Sequence, residues 1–153
     1  ELKKNNSKIR LHMIGKLQTN KVKFAVQIFD YIHSVDSLKL ANKIAVEQNK
    51  IKKNIKIFLQ INIGNENQKS GINKNEIDQL VSFSKEIGLD VIGLMCIPPA
   101  NIDPQDYFEE MNKLNKSLGF SELSMGMSSD FLLAAKNLST YVRIGSSIFG
   151  ERS

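Results

Sequence analysis

The segment "YVRIGSSIFG", residues 141–150, joins a strand to a helix through a turn of small residues. Tyr141 opens an apolar run that has a charged side chain, Arg143, at its centre. Gly145 and Ser146 then interrupt the run just before a second apolar segment. The chain has 18 lysines but only three arginines. A guanidinium keeps its charge and is costly to bury without a partner, so Arg143 indicates either an ion pair or a functional role.

The same alternation of an apolar strand and a helical pattern recurs along the chain. Six runs are predicted as strands, at residues 9–15, 28–35, 56–63, 90–98, 122–127 and 141–145. Nearly continuous apolar runs are typical of parallel strands that are covered on both faces. The segments between them carry helix signals, such as Pro104 at a helix start and Gly88 and Gly119 at helix ends. Repeated strand–helix units predict a parallel α/β architecture.

Two arrangements of six such units compete, an open doubly wound sheet and a closed (β/α)8 barrel. A barrel needs eight strands, and the two further strands would precede residue 9. Without them, the first and last strands of this chain would both be open edges. We therefore expect an incomplete TIM-type barrel that contains strands 3–8 with their helices. Residues 1–153 contain no low-complexity linker, and they are predicted to form a single domain, the C-terminal part of the barrel.

The composition excludes several classes of protein. Hydrophobic residues make up 41% of the chain and charged residues 24%, which is typical of globular proteins. The net charge is +5, but the lysines are scattered over several helix faces without interleaved aromatic residues, so nucleic-acid binding is not expected. No apolar run has the length of a membrane span. A single cysteine, Cys96, excludes an internal disulfide and is interpreted as a packed thiol, so we expect a cytoplasmic location.

The two histidines do not indicate a metal site. His12 and His33 lie on or beside predicted strands, and no metal-ligand spacing occurs in the chain. We interpret both as core residues or as supporting neighbours of a site, and we expect no metal.

The last two strands end in "MGMSSD" and "RIGSSIFG", at the edge of a barrel where phosphate groups commonly bind. Ser128 in the first loop, and Gly145 with Ser146 in the second, lie where a strand meets the start of a helix. Free backbone N–H groups at such places can hold an anion. The alternative is that Ser128 or Ser129 only caps its helix and that Gly145 only makes a tight turn. Two such loops on adjacent strands favour one shared phosphate.

Arg143 lies two residues before the second loop, within reach of a ligand that the loop would hold. The alternative for this side chain is a structural salt bridge to a neighbouring strand. Pyridoxal 5′-phosphate (PLP) has a phosphate on one side and a ring nitrogen on the other, and proteins meet that nitrogen with either Asp or Arg. The pattern therefore favours PLP as the ligand.

Six segments carry a resemblance to a known family. In chain order they are "LHMIGKLQTNK", "IHSVD", "LQINIGNENQKSG", "IGLMCIP", "LSMGMSSD" and "VRIGSSIFG". They resemble the signatures of the pyridoxal phosphate homeostasis proteins, which are single-domain barrels related to the N-terminal domain of alanine racemase. The resemblance covers about residues 9–150.

The resemblance implies a vitamin B6 homeostasis protein that binds PLP in the cytoplasm without catalytic turnover of its own. It implies that the phosphate is held by Ser128, Gly145 and Ser146, and that Arg143 faces the pyridine nitrogen. The implied partners are PLP itself and PLP-dependent apoenzymes as recipients, with the protein as a monomer.

One part of the family pattern is missing from this chain. The Schiff-base lysine of the family lies on the first barrel strand, upstream of every segment quoted above, and such a lysine must be desolvated to lower its pKa. No lysine here lies inside an apolar strand, so we expect the covalent anchor to be absent from this chain. Lys69 in "GNENQKSG" is a further candidate amine at the barrel mouth, or else a solvated loop lysine. Asn20 and Lys21 either border the cofactor ring or only cap and solvate a turn.

Two other functions compete with PLP homeostasis. A PLP-dependent amino-acid racemase or decarboxylase-like enzyme is the first, and a racemase needs one base on each face of the substrate carbon. Tyr31, Tyr107 and Tyr141 are predicted in strands or a helix instead of ligand-facing loops, which disfavours this alternative. A phosphate-binding barrel without PLP is the second, and it would require the ordered motifs to be a coincidence.

Overall fold

The computed structural model describes residues 8–66 and 70–150. All six predicted strands are present, most of them shorter than predicted: β1 (His12–Met13), β2 (Tyr31–Val35), β3 (Lys56–Ile61), β4 (Asp90–Cys96), β5 (Glu122–Met127) and β6 (Tyr141–Arg143). The α-helices are α1 (Val22–Ile28), α2 (Leu38–Lys50), α3 (Ile77–Glu86), α4 (Gln105–Ser117), α5 (Phe131–Lys136) and α6 (Ser146–Phe149). Short 3₁₀ turns at Thr19–Lys21 and Lys74–Glu76 precede α1 and α3. None of these helices has the length and apolarity needed to cross a bilayer.

The strands form one parallel sheet whose spatial order is the chain order, β1-β2-β3-β4-β5-β6. The longest pairing joins β3 to β4, from Lys56 opposite Asp90 to Ile61 opposite Cys96. In a doubly wound sheet the strand order reverses at a switch point. The described strands show no reversal, so the doubly wound alternative does not fit, and the winding is that of a barrel.

The sheet is strongly curved. Adjacent strands lie ~4.8 Å apart, so six flat strands would separate the two edge strands by about 24 Å. The rings of His12 on β1 and Tyr141 on β6 have centroids only 5.7 Å apart. The sheet therefore curls into a half-barrel, and its concave inner face brings side chains from both edges together.

Side chains alternate between two layers, as the period of two in a strand requires. The outer layer is an apolar core between the sheet and the helices, and its fully buried members include Ile44, Ile57, Leu59, Leu80 and Phe108. The inner layer lies on the concave face, where Phe58 of β3 stacks on the imidazole of His33 at a centroid distance of 4.2 Å. The inner layer carries the polar side chains described below.

Three helix boundaries follow the sequence signals given above. Pro104 directly precedes α4, where its missing N–H costs nothing. Gly88 and Gly119 follow α3 and α4 with φ angles of +73° and +76°, a conformation that glycine adopts without strain. These predicted boundaries are confirmed.

Candidate functional site

Two segments, residues 128–130 after β5 and residues 144–147 after β6, contact each other through Ser128 and form the joined loops. Its Oγ accepts the backbone N–H of Gly145 at 3.0 Å and that of Ser147 at 3.5 Å. The Ser147 hydroxyl donates in return to the Ser128 carbonyl oxygen at 3.3 Å. Ser146, between the two donors, is the first residue of α6. The structure thus brings the predicted phosphate residues together at the C-terminal edge of the sheet, and their role toward a ligand stays a prediction.

Ser128 is not the cap of the helix that follows it, and neither is Ser129. Asp130 directly precedes α5, and its Oδ1 accepts the backbone N–H of Met127 at 2.6 Å. The carboxylate closes the turn at the end of β5, so the Ser128 hydroxyl remains available to the neighbouring loop. The simple capping alternative is therefore wrong for both serines.

Arg143 extends over the inner face toward β4 and β5. Its Nη1 donates to the Ser124 Oγ at 2.9 Å, and its Nη2 donates to the Cys96 carbonyl oxygen at 2.9 Å. No carboxylate of the described residues forms an ion pair with it, so the predicted alternative of a structural salt bridge is wrong. Burial lowers the pKa of Arg143, but a guanidinium stays charged at pH 7. The site therefore holds a partly buried positive charge.

A chain of polar side chains continues from Ser124 along the inner face. The His33 Nδ1 lies 2.8 Å from the Ser124 Oγ, and the His33 Nε2 lies 2.9 Å from the His12 Nδ1. His12 in turn stacks on Tyr31 with ring centroids 4.1 Å apart. Desolvation, together with the charges of His12 and Arg143, lowers the pKa of His33 to about 3. His33 is therefore neutral at pH 7.

Acid is expected to destabilise the fold through His33. Its pKa falls from 6.5 to about 3 on folding, so between these values the unfolded chain binds a proton that the folded protein excludes. The contribution of His33 to the free energy of unfolding is therefore fully present above pH 6.5. It is lost as the pH falls toward 3, which lowers the free energy of unfolding by on the order of a few kcal/mol. The groups that face His33 are His12 on β1, Tyr31 on its own strand, and Tyr141 with Arg143 on β6. Burial also lowers the pKa of His12, which acts in the same direction.

Urea unfolding at about pH 7.5 and about pH 4.5 measures this effect as the difference between two free energies of unfolding. In the variant His33→Gln the difference should shrink, whatever the stability of the variant at neutral pH. A difference equal to that of the unmodified protein would contradict the assignment to His33.

Lys69 lies outside the described residues, and its role stays a prediction. The loop that carries it is held at both ends. The Asn62 Nδ2 donates to the Glu66 carbonyl oxygen at 2.9 Å, and the Asn62 backbone N–H donates to the Ile72 carbonyl oxygen at 3.0 Å. Both ends of the loop therefore leave the sheet side by side at the C-terminal end of β3.

The side chains of the remaining candidate residues, Asn20, Lys21 and Cys96, lie outside the polar network of the inner face. Asn20 and Lys21 are exposed in the 3₁₀ turn before α1. Cys96 is fully buried, and burial raises its pKa to about 12, so the packed-thiol interpretation is confirmed. Among residues 8–66 and 70–150, no three His, Cys, Asp or Glu side chains converge into a metal site.

The sequence interpretation missed Ser124, Tyr31 and Tyr141 as members of the inner-face network. The signal was present in the segments "YIHSV", "ELSMGM" and "YVRIG". Polar or aromatic side chains recur there two positions apart (31 and 33, 122 and 124, 141 and 143), with mostly apolar residues between them, which places them on one face. Such a pattern indicates a polar inner face opposite an apolar core.

Comparison with known proteins assigns the family. Residues 1–153 match the family described as the alanine racemase N-terminal domain. The chain is 35% identical over 158 residues to the pyridoxal phosphate homeostasis protein of Pasteurella multocida, and the match covers 96% of this chain and 68% of that protein. The chain belongs to the pyridoxal phosphate homeostasis protein family.

Another member of the pyridoxal phosphate homeostasis protein family, from Aquifex aeolicus, is 38% identical over 153 residues, covering 92% of this chain and 66% of that protein. The chain thus spans about two thirds of the length of the curated relatives that it matches.

Solved structures within the family share the fold. PipY of Synechococcus elongatus without PLP has a TM-score of 0.87 at 30% identity, over 97% of this chain and 75% of that chain. PipY with PLP bound has a TM-score of 0.82 at 31% identity, over 97% of this chain and 74% of that chain. The curved parallel sheet is therefore the fold of this family.

Proposed function

We propose that this family member binds PLP at the joined loops after β5 and β6, and that it serves PLP homeostasis without catalytic turnover of its own. The observation that carries the proposal is the pair of backbone N–H donors of Gly145 and Ser147 at Ser128, the first of them two residues along the chain from the partly buried charge of Arg143. A phosphate and a ring nitrogen are the two ends of PLP, and the relative PipY has been solved with PLP bound. As the cellular role, we infer a cytoplasmic monomer that supplies PLP-dependent apoenzymes.

The donor set around Ser128 fits a phosphate. The Ser128 Oγ accepts the N–H groups of Gly145 and Ser147, and a phosphate oxygen would be a stronger acceptor for the same donors because it is charged. The hydroxyl of the exposed Ser146 would add a further donor. A Cβ built on Gly145 meets no atom within 4 Å, so the space beside the turn is open to a ligand.

Arg143 fits the other end of the cofactor. A guanidinium donates hydrogen bonds and cannot accept them, so it would meet the ring nitrogen in its unprotonated form. Bound PLP supplies an aldehyde and a ring that withdraws electrons, and an unprotonated ring nitrogen weakens the second property. An arginine at this position therefore supports binding without turnover.

The tyrosines also support a non-catalytic role over the racemase-like alternative. Tyr31 and Tyr141 are the first residues of β2 and β6, so they lie at the opposite ends of these strands from the joined loops. Tyr107 lies in α4. A racemase needs acid–base groups on both faces of the substrate carbon, and none of these hydroxyls is placed for that task.

We further propose that the covalent anchor for PLP lies upstream of this chain. A lysine that bonds the cofactor must be desolvated, and no lysine of the described residues is buried. Lys69 remains the candidate within this chain. Borohydride reduction in the presence of PLP, followed by peptide mass spectrometry, locates the bond, and a stoichiometric adduct on Lys69 would contradict an upstream anchor.

We also infer that the six strands are strands 3–8 of an eight-stranded barrel, and that residues 1–153 form one domain of it. Exposed apolar side chains near both sheet edges support this. Ile14 beside β1 and Phe24 on α1 are 47% and 59% exposed, and Val142 on β6 and Phe149 on α6 are 40% and 86% exposed. Two additional strands with their helices would cover these side chains and pair both edges.

Replacement of Gly145 by valine is expected to weaken PLP binding by about 10-fold or more, the equivalent of one charge-assisted hydrogen bond. The branched side chain would fill the open space beside the turn, while it meets no atom of the protein within 4 Å at its Cβ. Absorbance and fluorescence titrations with PLP measure the affinity. They should be made on this chain and on a version that carries the upstream segment of the longer relatives.

The matched control is Gly15→Val, because a Cβ at Gly15 also meets no atom within 4 Å and Gly15 lies outside the joined loops. Its PLP affinity should equal that of the unmodified protein. Equal affinity of Gly145→Val would argue against the phosphate position. A lack of PLP binding by the longer version would overturn the proposed function.

A further inference from the structure

We propose that Ser124 and His33 are positioning residues for Arg143, and that a one-way chain of hydrogen bonds from Arg143 through Ser124 and His33 to His12 fixes the orientation of the guanidinium. The inference deepens the proposed function, since the guanidinium is the group that would meet the cofactor ring. The hydrogen-bond chain itself belongs to the protein without ligand, so it can be tested separately.

The direction of the chain starts at Arg143. Its guanidinium can only donate, so the Ser124 Oγ accepts from it at 2.9 Å. Ser124 is fully buried, and its own hydroxyl hydrogen needs an acceptor. Within the described part of the chain, the other group at hydrogen-bond distance from this Oγ is the His33 Nδ1 at 2.8 Å. The His33 Nδ1 is therefore the unprotonated nitrogen of that ring.

The His33 proton then lies on Nε2, which donates to the His12 Nδ1 at 2.9 Å. Two imidazoles share one hydrogen bond only when one ring donates and the other accepts. In the reverse direction, Ser124 would accept from both Arg143 and His33, and its buried hydroxyl hydrogen would have no acceptor among the described residues. Desolvation and the neighbouring charges keep His33 neutral, as the one-way chain requires.

Further contacts hold two members of this chain, Arg143 and His33, in place. The Cys96 carbonyl oxygen binds the second terminal nitrogen of Arg143, so the planar guanidinium is held from both β4 and β5. On the other side, Phe58 stacks on the His33 ring at 4.2 Å and prevents it from turning freely.

Strand β5 links this chain to the phosphate end of the site. Ser124 anchors Arg143 from the middle of β5, and Ser128 joins the two loops just after the same strand ends. The separation between the guanidinium and the phosphate donors is therefore set by one rigid strand, which suits recognition of a ligand with two fixed ends.

The test uses NMR of the protein labelled with ¹⁵N at histidine and arginine. In the unmodified protein at pH 7, His33 should carry its proton on Nε2. In Ser124→Ala the tautomer preference of His33 should be lost, and the guanidinium N–H resonances of Arg143 should exchange faster with water. PLP affinity should fall by roughly 3- to 10-fold, the range for one ordinary hydrogen bond. Affinity for inorganic phosphate should stay unchanged, because Ser124 lies outside the joined loops.

Two variants serve as controls. Ser84→Ala removes another fully buried hydroxyl, one whose Oγ has no hydrogen-bond partner among the described residues, and it should change none of these readouts. Ser124→Thr keeps the hydroxyl and should restore the His33 tautomer and the Arg143 resonances.

A protonated His33 Nδ1 in the unmodified protein would overturn the one-way chain. Unchanged Arg143 and His33 resonances in Ser124→Ala would overturn the positioning role, whether or not PLP binds. If the unmodified protein fails to bind PLP while the resonances respond as expected, the positioning role is upheld and the proposed function fails by itself.

Discussion

Replacement of Gly93 by alanine is expected to lower the free energy of unfolding by about 3 kcal/mol or more. A Cβ at this position would overlap the Glu122 carbonyl oxygen and lie 2.5 Å from its carbonyl carbon. Gly93 and Glu122 are paired across β4 and β5, so neither backbone can move away without breaking the sheet. Urea unfolding followed by circular dichroism measures the change.

The matched control for Gly93 is Gly15→Ala. No atom lies within 4 Å of a Cβ at Gly15, so its free energy of unfolding should change by no more than about 0.5 kcal/mol. If Gly93→Ala unfolds at the same urea concentration as the unmodified protein, the inference that β4 and β5 lie too close at Gly93 for a side chain is wrong.

Replacement of Arg143 by methionine is expected to weaken PLP binding by about 10- to 100-fold, the equivalent of one hydrogen bond to a charged group. Methionine keeps most of the length and the apolar part of the side chain, but it cannot donate to the cofactor ring. It also leaves the Ser124 Oγ and the Cys96 carbonyl oxygen without their donor. Fluorescence titration with PLP measures the affinity, and circular dichroism confirms that the variant is folded.

Arg10→Met is the control for Arg143, because Arg10 is exposed and precedes β1, far along the chain from the joined loops. It should bind PLP as the unmodified protein does. Arg143→Lys should bind PLP with intermediate affinity. A single ammonium keeps the charge but cannot reproduce the planar guanidinium, which donates to the Ser124 Oγ and the Cys96 carbonyl oxygen at the same time. Equal affinities of all three variants would show that Arg143 does not face the ligand.

Local sequence patterns were sufficient for the strands and for the place of the joined loops after β5 and β6. Each strand lies in a largely apolar run, and the helix ends at Gly88 and Gly119 follow from the conformational freedom of one residue. Ser128 and Gly145 were predicted to lie near each other because the C-terminal ends of adjacent parallel strands meet at one edge of a sheet. The structure joins them through a hydrogen bond of 3.0 Å.

The partners of Arg143 were decided by the tertiary structure. Ser124 and Cys96 lie 19 and 47 residues away from it along the chain, and His33 lies 91 residues away from Ser124. Which of these side chains meet depends on the register between strands, and a shift of one residue would turn every side chain to the other face. The sequence by itself therefore determined a parallel α/β chain with two small-residue loops after its last strands. The curvature and the register of the sheet decided that an arginine, a serine and two histidines form one hydrogen-bonded chain on its inner face, because contacts between distant strands are set by packing and not by local pattern.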